Sequence, residues 1–333
     1  MDAPAHILLI RLKSIGDVLF TLPAVSRVRD EFPGAKITFL SSSENAPLLE
    51  GFREVDEVFT LERAQFRRKN PVAVLSAGFD LLRRLRRGKF SLVLDFQGYG
   101  ETEFFAWWSG AAQRWGKVYH PPRGWTYTHI SRRDKTVHPA DWNLALLRAG
   151  GIPTDRPRNE FILPAAALAE AQKFLTANRL DPSGPVLYLQ PFTSNPKKNW
   201  PLEKALGLAQ RWRSRGVQVV FGGGPADRAA LEPARAAGFV VASDNPLLVS
   251  GGLTKLSTLV VGADTGLLHL AVALGRRVVM LMRSNAPGTS HPFQHPDWAL
   301  ASPSGKSAAD IPVDTVMAAC EQAFSEPAGN VSC

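Results

Sequence analysis

The sequence predicts an α/β protein made of two doubly wound domains, each a parallel sheet between layers of helices. Short apolar runs alternate with amphipathic stretches of helical length, which is the pattern of such a sheet. A chain of 333 residues is long for one hydrophobic core, and two domains of about 150 residues each are the usual arrangement. The alternation also restarts after a segment rich in Gly and Pro, Gly150–Pro164. We therefore place the domains at residues 1–160 and 161–333.

Each element of the first domain follows from a local pattern. His6–Ile10 is an apolar run of strand length, and after a polar turn an amphipathic helix runs from Asp17 to about Glu31. Ser91–Asp95 (SLVLD) is a buried strand that ends in a carboxylate. The other predicted strands are Lys36–Leu40 and Val55–Leu61, and the other predicted helices are Val72–Arg87, Glu101–Gly110 and Asp141–Ala149.

The second domain repeats this alternation. Pro185–Gln190 (PVLYLQ) is a strand, and the helix over Pro201–Gly216 begins with a proline, which suits a first helical turn. Ligands of open parallel sheets bind outside the carboxyl ends of the strands, so we expect the two domains to face a central cleft. The remaining predictions are strands at Val217–Phe221, Leu259–Val261 and Arg277–Leu281, and helices over Thr265–Leu274 and Val313–Phe324.

The composition is that of a globular protein from a reducing compartment. Hydrophobic residues make up 45% of the chain and charged residues 21%, which is ordinary for a soluble domain. The two cysteines, Cys320 and Cys333, lie near the C-terminus, so a structural disulfide or a metal site is not expected. No apolar run reaches the roughly 18 residues of a membrane span, and the first ten residues lack the pattern of a signal peptide. We predict a cytoplasmic protein.

The net charge of +9 is concentrated in one stretch. Between Leu61 and Phe90 nine basic residues face only two acids, Glu62 and Asp80, so the stretch carries +7. Such a field attracts anionic partners, namely phosphorylated lipid, nucleic acid or a membrane face, and a solvated helix face with a loop is the plainer interpretation. The basic residues are Arg63, Arg67, Arg68, Lys69, Arg83, Arg84, Arg86, Arg87 and Lys89.

The loop after the first strand, Arg11–Asp17 (RLKSIGD), lies at the carboxyl edge of the predicted sheet. Gly16 permits a tight turn there. Asp17 then either caps the following helix, which contributes about 1 kcal/mol, or projects into the ligand site, and the local pattern leaves both open. A single glycine argues against a dinucleotide-binding loop, which needs G-x-G-x-x-G.

The segment Gly262–His269 (GADTGLLH) places a polar turn between a strand and a helix. Free backbone N–H groups at Thr265, Gly266 and Leu267 would attract an anion, and Gly266 lets a phosphate approach the backbone. His269 lies one turn beyond Thr265, on the same face. The plainer interpretation is that Asp264 is the N-cap and His269 a core residue.

The loop after the first strand of the second domain, Gln190–Pro201 (QPFTSNPKKNWP), combines hydroxyl groups with cations. Thr193 and Ser194 precede Lys197 and Lys198, and this set suits a pyrophosphate group. By itself the pattern is also that of an ordinary surface loop.

Together these loops resemble glycosyltransferase family nine, the lipopolysaccharide heptosyltransferases, from about residue 6 to residue 282. The resemblance is carried by Leu8–Leu40, by Asp95–Gly98 (DFQG), by Lys198–Pro201 (KNWP) and by Gly262–Gly275, in this order. It implies a GT-B fold with the acceptor on residues 1–160 and the nucleotide-sugar on residues 161–333. It also implies inverting, metal-independent transfer of heptose from ADP-heptose to a Kdo or heptose unit of the inner core. The ADP-sugar is a co-substrate, and no cofactor is implied.

The same resemblance implies roles for individual residues. Asp17 is the general base, and Lys198 receives the charge that develops on the departing ADP. The implied donor-binding residues are Thr193, Ser194, Lys198, Asp227, Asp264, Thr265, Gly266 and His269. The implied acceptor-binding residues are Lys13, Ser14, Gln97, Arg67, Arg68 and Lys69.

A phosphorylated, lipid-linked acceptor accounts for the basic stretch, because each cation near an anionic membrane contributes about 1 kcal/mol. We therefore expect a peripheral protein at the inner face of the cytoplasmic membrane. The aromatic run Phe104–Trp108 (FFAWW) either dips into that interface or packs on the sheet, and packing is the expectation. The chain carries no nucleic-acid-binding motif, so nucleic acid is not an expected partner.

Three alternatives stay open. The first alternative is another GT-B transferase, or an epimerase, that uses a different nucleotide-sugar. It stays open because the segment Met282–Ser290 departs from the Gly-Pro-Thr-like turn of the family. A catalytically silent lipid- or glycan-binding protein is the second, and Asp17, Lys198 and Asp264 argue against it. A nucleic-acid-binding protein, prompted only by charge, is the third. Release of free ADP with and without acceptor separates a transferase from an epimerase.

Overall fold

The computed structural model describes residues 4–62, 71–120, 124–181 and 183–325, and of residues 71–77 only the backbone. The chain divides into two units, Met1–Glu160 and Phe161–Cys333. Each unit contains one six-stranded sheet in which all paired strands are parallel. The predicted fold class, α/β with two Rossmann-like doubly wound domains, is confirmed.

The first unit has the Rossmann strand order β3-β2-β1-β4-β5-β6. Its strands are β1 (His6–Ile10), β2 (Lys36–Ser42), β3 (Glu57–Leu61), β4 (Leu92–Asp95), β5 (Gln113–Val118) and β6 (His129–Arg132). Its helices are α1 (Ile15–Leu19), α2 (Leu22–Glu31), α3 (Pro71–Arg87), α4 (Gly100–Trp108) and α5 (Pro139–Ala149). The strand order reverses between β1 and β4, where Ile10 pairs with Asp95. Ligands of this fold bind at the carboxyl ends of the strands at such a point.

The second unit repeats the topology, with the order β12-β11-β10-β7-β8-β9. Its strands are β7 (Val186–Gln190), β8 (Gln218–Gly222), β9 (Val240–Ala242), β10 (Leu259–Ala263), β11 (Val278–Met282) and β12 (Ala299–Ala301). Its helices are α6 (Ala165–Ala177), α7 (Leu202–Arg213), α8 (Glu232–Ala236), α9 (Leu247–Leu256), α10 (Gly266–Ala273) and α11 (Val313–Ser325). The order reverses between β7 and β10, where Gln190 pairs with Gly262.

The central strands are mostly apolar, as expected of parallel sheets that helices cover on both faces. Every residue of β7, β10 and β11 is buried. Helix α10 is buried from Leu267 to Ala273, which fixes its first turn rigidly above the end of β10. Among the helices in the described ranges, none combines the length and the apolar character that crossing a bilayer requires.

The helix predicted from Asp17 to Glu31 is in fact two helices, α1 and α2. The Thr21 hydroxyl donates to the Val18 carbonyl at 2.6 Å, and Pro23 has no N–H to continue the helical ladder. The prediction also missed β5, β6, β9, β12, α6 and α9. The missed strands are short, lie toward sheet edges or, like β5 (QRWGKV), carry charges that hide their strand character.

The expectation that Phe104–Trp108 packs on the sheet is wrong for three of its aromatic side chains. Phe104, Trp107 and Trp108 are 42%, 48% and 37% exposed, whereas Phe105 packs against the core of the first unit. Helix α4 therefore buries one face and presents an aromatic face to solvent.

Candidate active site

In the first unit, Asp17 lies at the third position of α1, directly beyond the carboxyl end of β1. Its Oδ2 atom accepts hydrogen bonds from the Ser14 N–H at 3.0 Å and the Ser14 hydroxyl at 3.2 Å, and it lies 2.8 Å from Arg11 Nη2. Oδ1 has no hydrogen-bond partner within the described ranges, and the side chain is 38% exposed. Helix α1 begins at Ile15, so Ser14 is the N-cap. Asp17 thus stabilises the helix start with one oxygen and leaves the other available.

Arg11 fixes the position and charge of Asp17. Its guanidinium is buried, and Nη1 donates to the Phe96 carbonyl at 2.6 Å. Burial alone raises the pKa of Asp17, but the charge of Arg11 and the hydrogen bonds from Ser14 outweigh it and hold the pKa below its ordinary value. Asp17 is therefore a carboxylate at neutral pH.

Gln97, predicted to contact the acceptor, lies beneath the loop. It is buried, and its Oε1 accepts hydrogen bonds from the backbone N–H groups of Leu12 and Lys13 at 3.2 and 3.4 Å. Lys13 and Ser14 are exposed above it, and Lys13 Nζ lies 5.7 Å from the centre of the Tyr99 ring. Gln97 thus orders the loop that presents these two side chains.

The three basic residues predicted to bind the acceptor lie outside the described part of the chain. They are Arg67, Arg68 and Lys69.

Lys117, a buried lysine near the end of β5, was not among the predicted site residues. Its Nζ donates to Asn143 Oδ1 at 2.9 Å and lies 3.8 Å from the centre of the Trp142 ring. Burial, reinforced by the positive charge of Arg11, holds the pKa of Lys117 well below its ordinary value. No sequence signal marks this residue, since a lysine near the end of a strand is usually solvated.

In the second unit, three donors converge on Asp264 where β10 ends. Lys198 Nζ lies 2.8 Å from Oδ2 and the Ser290 hydroxyl donates to the same oxygen at 3.0 Å. His269 Nε2 lies 3.1 Å from Oδ1. Burial raises the pKa of Asp264, but His269 and Lys198 outweigh it and hold the pKa far below its ordinary value. The carboxylate is therefore a fixed negative charge that orients Lys198 and His269.

Thr265, and not Asp264, is the N-cap of α10. It has extended backbone angles, and its hydroxyl accepts from the Leu268 N–H at 3.4 Å. The N–H groups of Gly266 and Leu267, at the first two helical positions, precede the helical hydrogen-bond ladder and face the region beyond β10. The predicted helix start is present, and anion binding there stays a prediction. His269 is buried, as its core interpretation required, and also contacts Asp264.

The loop after β7 is braced by its own polar groups. The Thr193 hydroxyl donates to the Asn195 carbonyl at 2.7 Å, and the Thr193 N–H donates to Asn199 Oδ1 at 2.8 Å. Ser194 is exposed, and Lys198 ends a short 3₁₀ turn, Pro196–Lys198. This bracing directs Lys198 toward Asp264.

Asp227 closes the turn that follows the glycines after β8. Its Oδ2 accepts from the Gly224 N–H at 2.8 Å, and the side chain is half-buried in the 3₁₀ turn Pro225–Asp227. One carboxylate oxygen thus serves the turn, and the structure does not bring Asp227 to the Asp264 cluster.

Comparison with known sequences decides the family. The profile of "Glycosyltransferase family 9 (heptosyltransferase)" matches residues 79–311, well over half of the chain. The chain belongs to glycosyltransferase family 9. It is a glycosyltransferase, as predicted.

Relatives and solved structures of family 9 match nearly the whole chain. Lipopolysaccharide heptosyltransferase 1 of Pseudomonas aeruginosa is 26% identical over 296 residues, which are 85% of this chain and 80% of the relative. The glycosyltransferase family 9 structure from Veillonella parvula has a TM-score of 0.86 at 22% identity and covers 98% of this chain and 99% of that one. The E. coli heptosyltransferase WaaC with ADP-2-deoxy-2-fluoro heptose has a TM-score of 0.76 at 20% identity, with coverages of 95% and 99%. At these identities the structural likeness establishes the fold, and the expected GT-B class is confirmed.

Within this family 9 chain, Ser290 is a further residue that the sequence analysis missed. It belongs to the segment Met282–Ser290, which was noted only as a departure from the family pattern. Its hydroxyl reaches the Asp264 carboxylate across 26 residues of sequence, a contact that only the folded chain reveals.

Proposed function

We propose that the protein transfers heptose from ADP-heptose to a Kdo or heptose unit of the lipopolysaccharide inner core, with inversion of the anomeric centre. Family 9 membership supports the reaction class. The observation that carries the mechanism is the Asp17 carboxylate, whose Oδ2 is held by Arg11 and Ser14 while Oδ1 faces no partner within the described ranges. A side chain anchored in this way loses little conformational entropy when it accepts a proton.

Asp17 is the proposed general base. Its Oδ1 takes the proton of the acceptor hydroxyl as the hydroxyl oxygen bonds to the anomeric carbon of the donor. The bond between that carbon and the diphosphate breaks in the same displacement, so the configuration inverts. The lowered pKa of Asp17 makes it a weak base for the free hydroxyl. The hydroxyl becomes acidic only as the new bond forms, and the proton then transfers.

Lys198 and the first turn of α10 are the proposed stabilisers of the departing ADP. Negative charge grows on the diphosphate as the sugar leaves, and a cation with fixed N–H groups stabilises that charge most in the transition state. Asp264 acts as a positioning residue in this proposal because it contacts Lys198, and Ser290 in turn holds Asp264 in place. These protein groups supply the positive charge, and we propose that transfer needs no metal ion.

We also propose that the protein works at the inner face of the cytoplasmic membrane, without crossing it. The proposed acceptor is lipid-linked and anionic, and the first unit carries the excess of cations that such a substrate attracts.

The test is a transfer assay with a donor screen. Calorimetry with ADP-, GDP- and UDP-sugars should show the tightest binding for ADP-heptose, and ADP release should require the inner-core acceptor. NMR of the product should show the inverted anomer, and chelator should leave the rate unchanged. ADP-sugar consumption without acceptor, or preference for another nucleotide, would contradict the proposal.

A further inference from the structure

An aromatic cluster lies on the solvent face of α4. The ring centres of Phe104, Trp107 and Trp108 are separated by 6.0 Å (Phe104–Trp107), 5.9 Å (Phe104–Trp108) and 6.3 Å (Trp107–Trp108). All three side chains are more than a third exposed. Soluble proteins rarely leave contiguous aromatic surface in water unless it binds something.

Helix α3 extends this cluster. The Trp108 indole N–H donates to the Leu82 carbonyl at 2.9 Å, which joins the two helices. Phe79, Arg83 and Arg86 follow at helical spacing i, i+4 and i+7, so they share one face of α3. Phe79 is 68% exposed, and both arginines are exposed.

Arginine side chains lie beside the aromatic rings. Within the described ranges, neither Arg83 nor Arg86 forms an ion pair. Arg86 Nη1 donates to the Trp108 carbonyl at 3.4 Å, and Arg86 and Arg114 line a shallow depression together with Trp107, Trp108 and Gly110.

Gly110 makes this arrangement possible. Its φ is +75°, and a Cβ atom there would lie 2.2 Å from Arg86 Nη1. Only glycine therefore allows Arg86 to lie over the end of α4.

We propose that these two helix faces dock onto an anionic phospholipid bilayer, with a lipid phosphate in the depression between Arg86 and Arg114. The docking surface consists of Phe79, Arg83, Arg86, Phe104, Trp107 and Trp108, with Arg114 beside it in the depression. Tryptophan rings favour the headgroup level, because one end is apolar and the other is polar. Arginine binds phosphate through paired N–H groups.

The charge selects the bilayer over a second copy of this chain. A symmetric dimer through the docking surface would bring the arginines of both copies together, which is unfavourable, whereas an anionic membrane neutralises them. The inference rests on the proposed function in one respect, since a lipid-linked acceptor explains why the enzyme would stay at a membrane.

The experiment is flotation of the full-length protein with vesicles of 3:1 phosphatidylethanolamine and phosphatidylglycerol, against vesicles of phosphatidylcholine. The wild type should float with the anionic vesicles only, and less at high salt. Trp107→Ala should weaken binding about tenfold, because an exposed indole no longer enters the interface. Arg86→Glu changes the charge by two units and should weaken binding about 25-fold, since each unit of charge is worth about fivefold near such a surface.

Matched controls separate the surface from net charge and from folding. Lys306→Glu changes an exposed cation of the second unit by the same two charge units and should leave flotation near wild type. Trp107→Phe tests the indole itself, and it should reduce the blue shift of tryptophan fluorescence that vesicles induce in the wild type, while Trp108 of the same surface retains part of that shift. Circular dichroism and thermal unfolding establish that each variant is folded.

Several results would overturn the proposal. The first is that the wild type does not float with anionic vesicles, and the second is that Lys306→Glu and Arg86→Glu lose vesicle binding equally. The third is that sedimentation shows a wild-type dimer that Trp107→Ala dissociates. Binding of inorganic phosphate without vesicle binding would also overturn it. Flotation is measured without donor, and transfer is measured on a delipidated, water-soluble acceptor. Failure of docking therefore leaves transfer to the soluble acceptor intact, whereas failure of the proposed function leaves surface-dependent flotation intact.

Discussion

Replacing Asp17 with asparagine removes one negative charge while keeping the shape of the side chain and its acceptor oxygen for Ser14. The ion pair with Arg11 is lost, but Arg11 keeps its hydrogen bond to the Phe96 carbonyl. Because Asp17 is more than a third exposed, solvent screening limits the cost in unfolding free energy to about 1 kcal/mol or less. Loss of a positioned general base lowers the turnover rate about 10²- to 10⁴-fold.

Asp17→Ala is the informative comparison. It removes the same base, so turnover should fall by a similar factor, but it also removes the bonds to Ser14 at the start of α1. The unfolding free energy should then fall by about 1 kcal/mol more than in Asp17→Asn.

The assay combines initial rates of ADP release, calorimetry with the donor, and urea unfolding of both variants. Donor affinity should stay near wild type, since every donor contact that we propose lies in the second unit. Turnover of Asp17→Asn above about a tenth of wild type would refute the assignment of Asp17 as base. A matching loss of donor affinity would refute the division of roles between the two units.

Three further predictions concern cations and pH. Lys198→Ala should lower turnover about 10²- to 10³-fold in steady-state assays, and Lys198→Arg should restore part of it; full activity of Lys198→Ala would exclude a role in stabilising ADP. Asp264→Asn should lower the unfolding free energy by about 1–3 kcal/mol in urea unfolding at pH 7. The pKa of Asp264 is depressed in the folded state, so its ionised carboxylate adds to the unfolding free energy above the ordinary carboxyl pKa of about 4, and this stabilisation is lost as the pH falls below that value. If the unfolding free energy of Asp264→Asn fell with decreasing pH as steeply as that of the wild type, this prediction would be contradicted. The pKa of Lys117 is also depressed in the folded state, so the unfolded chain binds more protons than the folded chain does. The unfolding free energy should therefore rise with pH toward the ordinary lysine pKa of 10.5. Unfolding curves of Lys117→Met between about pH 7 and 10 should lack this rise.

The sequence predicted the parts of the fold whose cause is local. Buried parallel strands are apolar along their length, and so β1, β7 and β10 were visible as runs. The polar loops after them were visible as breaks. The first helix was predicted to begin at Asp17, whereas α1 begins at Ile15. The residue pattern shows where an amphipathic stretch starts, but it does not show which side-chain oxygen caps the first backbone N–H groups of the helix. Edge strands such as β6 and β12 carry no continuous apolar run, and nothing in their sequence separates them from loops.

What the sequence determined by itself is the alternation of strands and helices, the positive charge of the first unit and the family. Each of these depends on residue type and spacing along the chain. Only the tertiary structure decided that Asp17 engages Arg11 and Ser14 with one oxygen, and that Ser290 reaches Asp264. Only it showed that the rings of α4 face solvent and not the sheet. Contacts between residues far apart in sequence depend on how the strands are ordered, and hydrogen bonds and burial follow from that order.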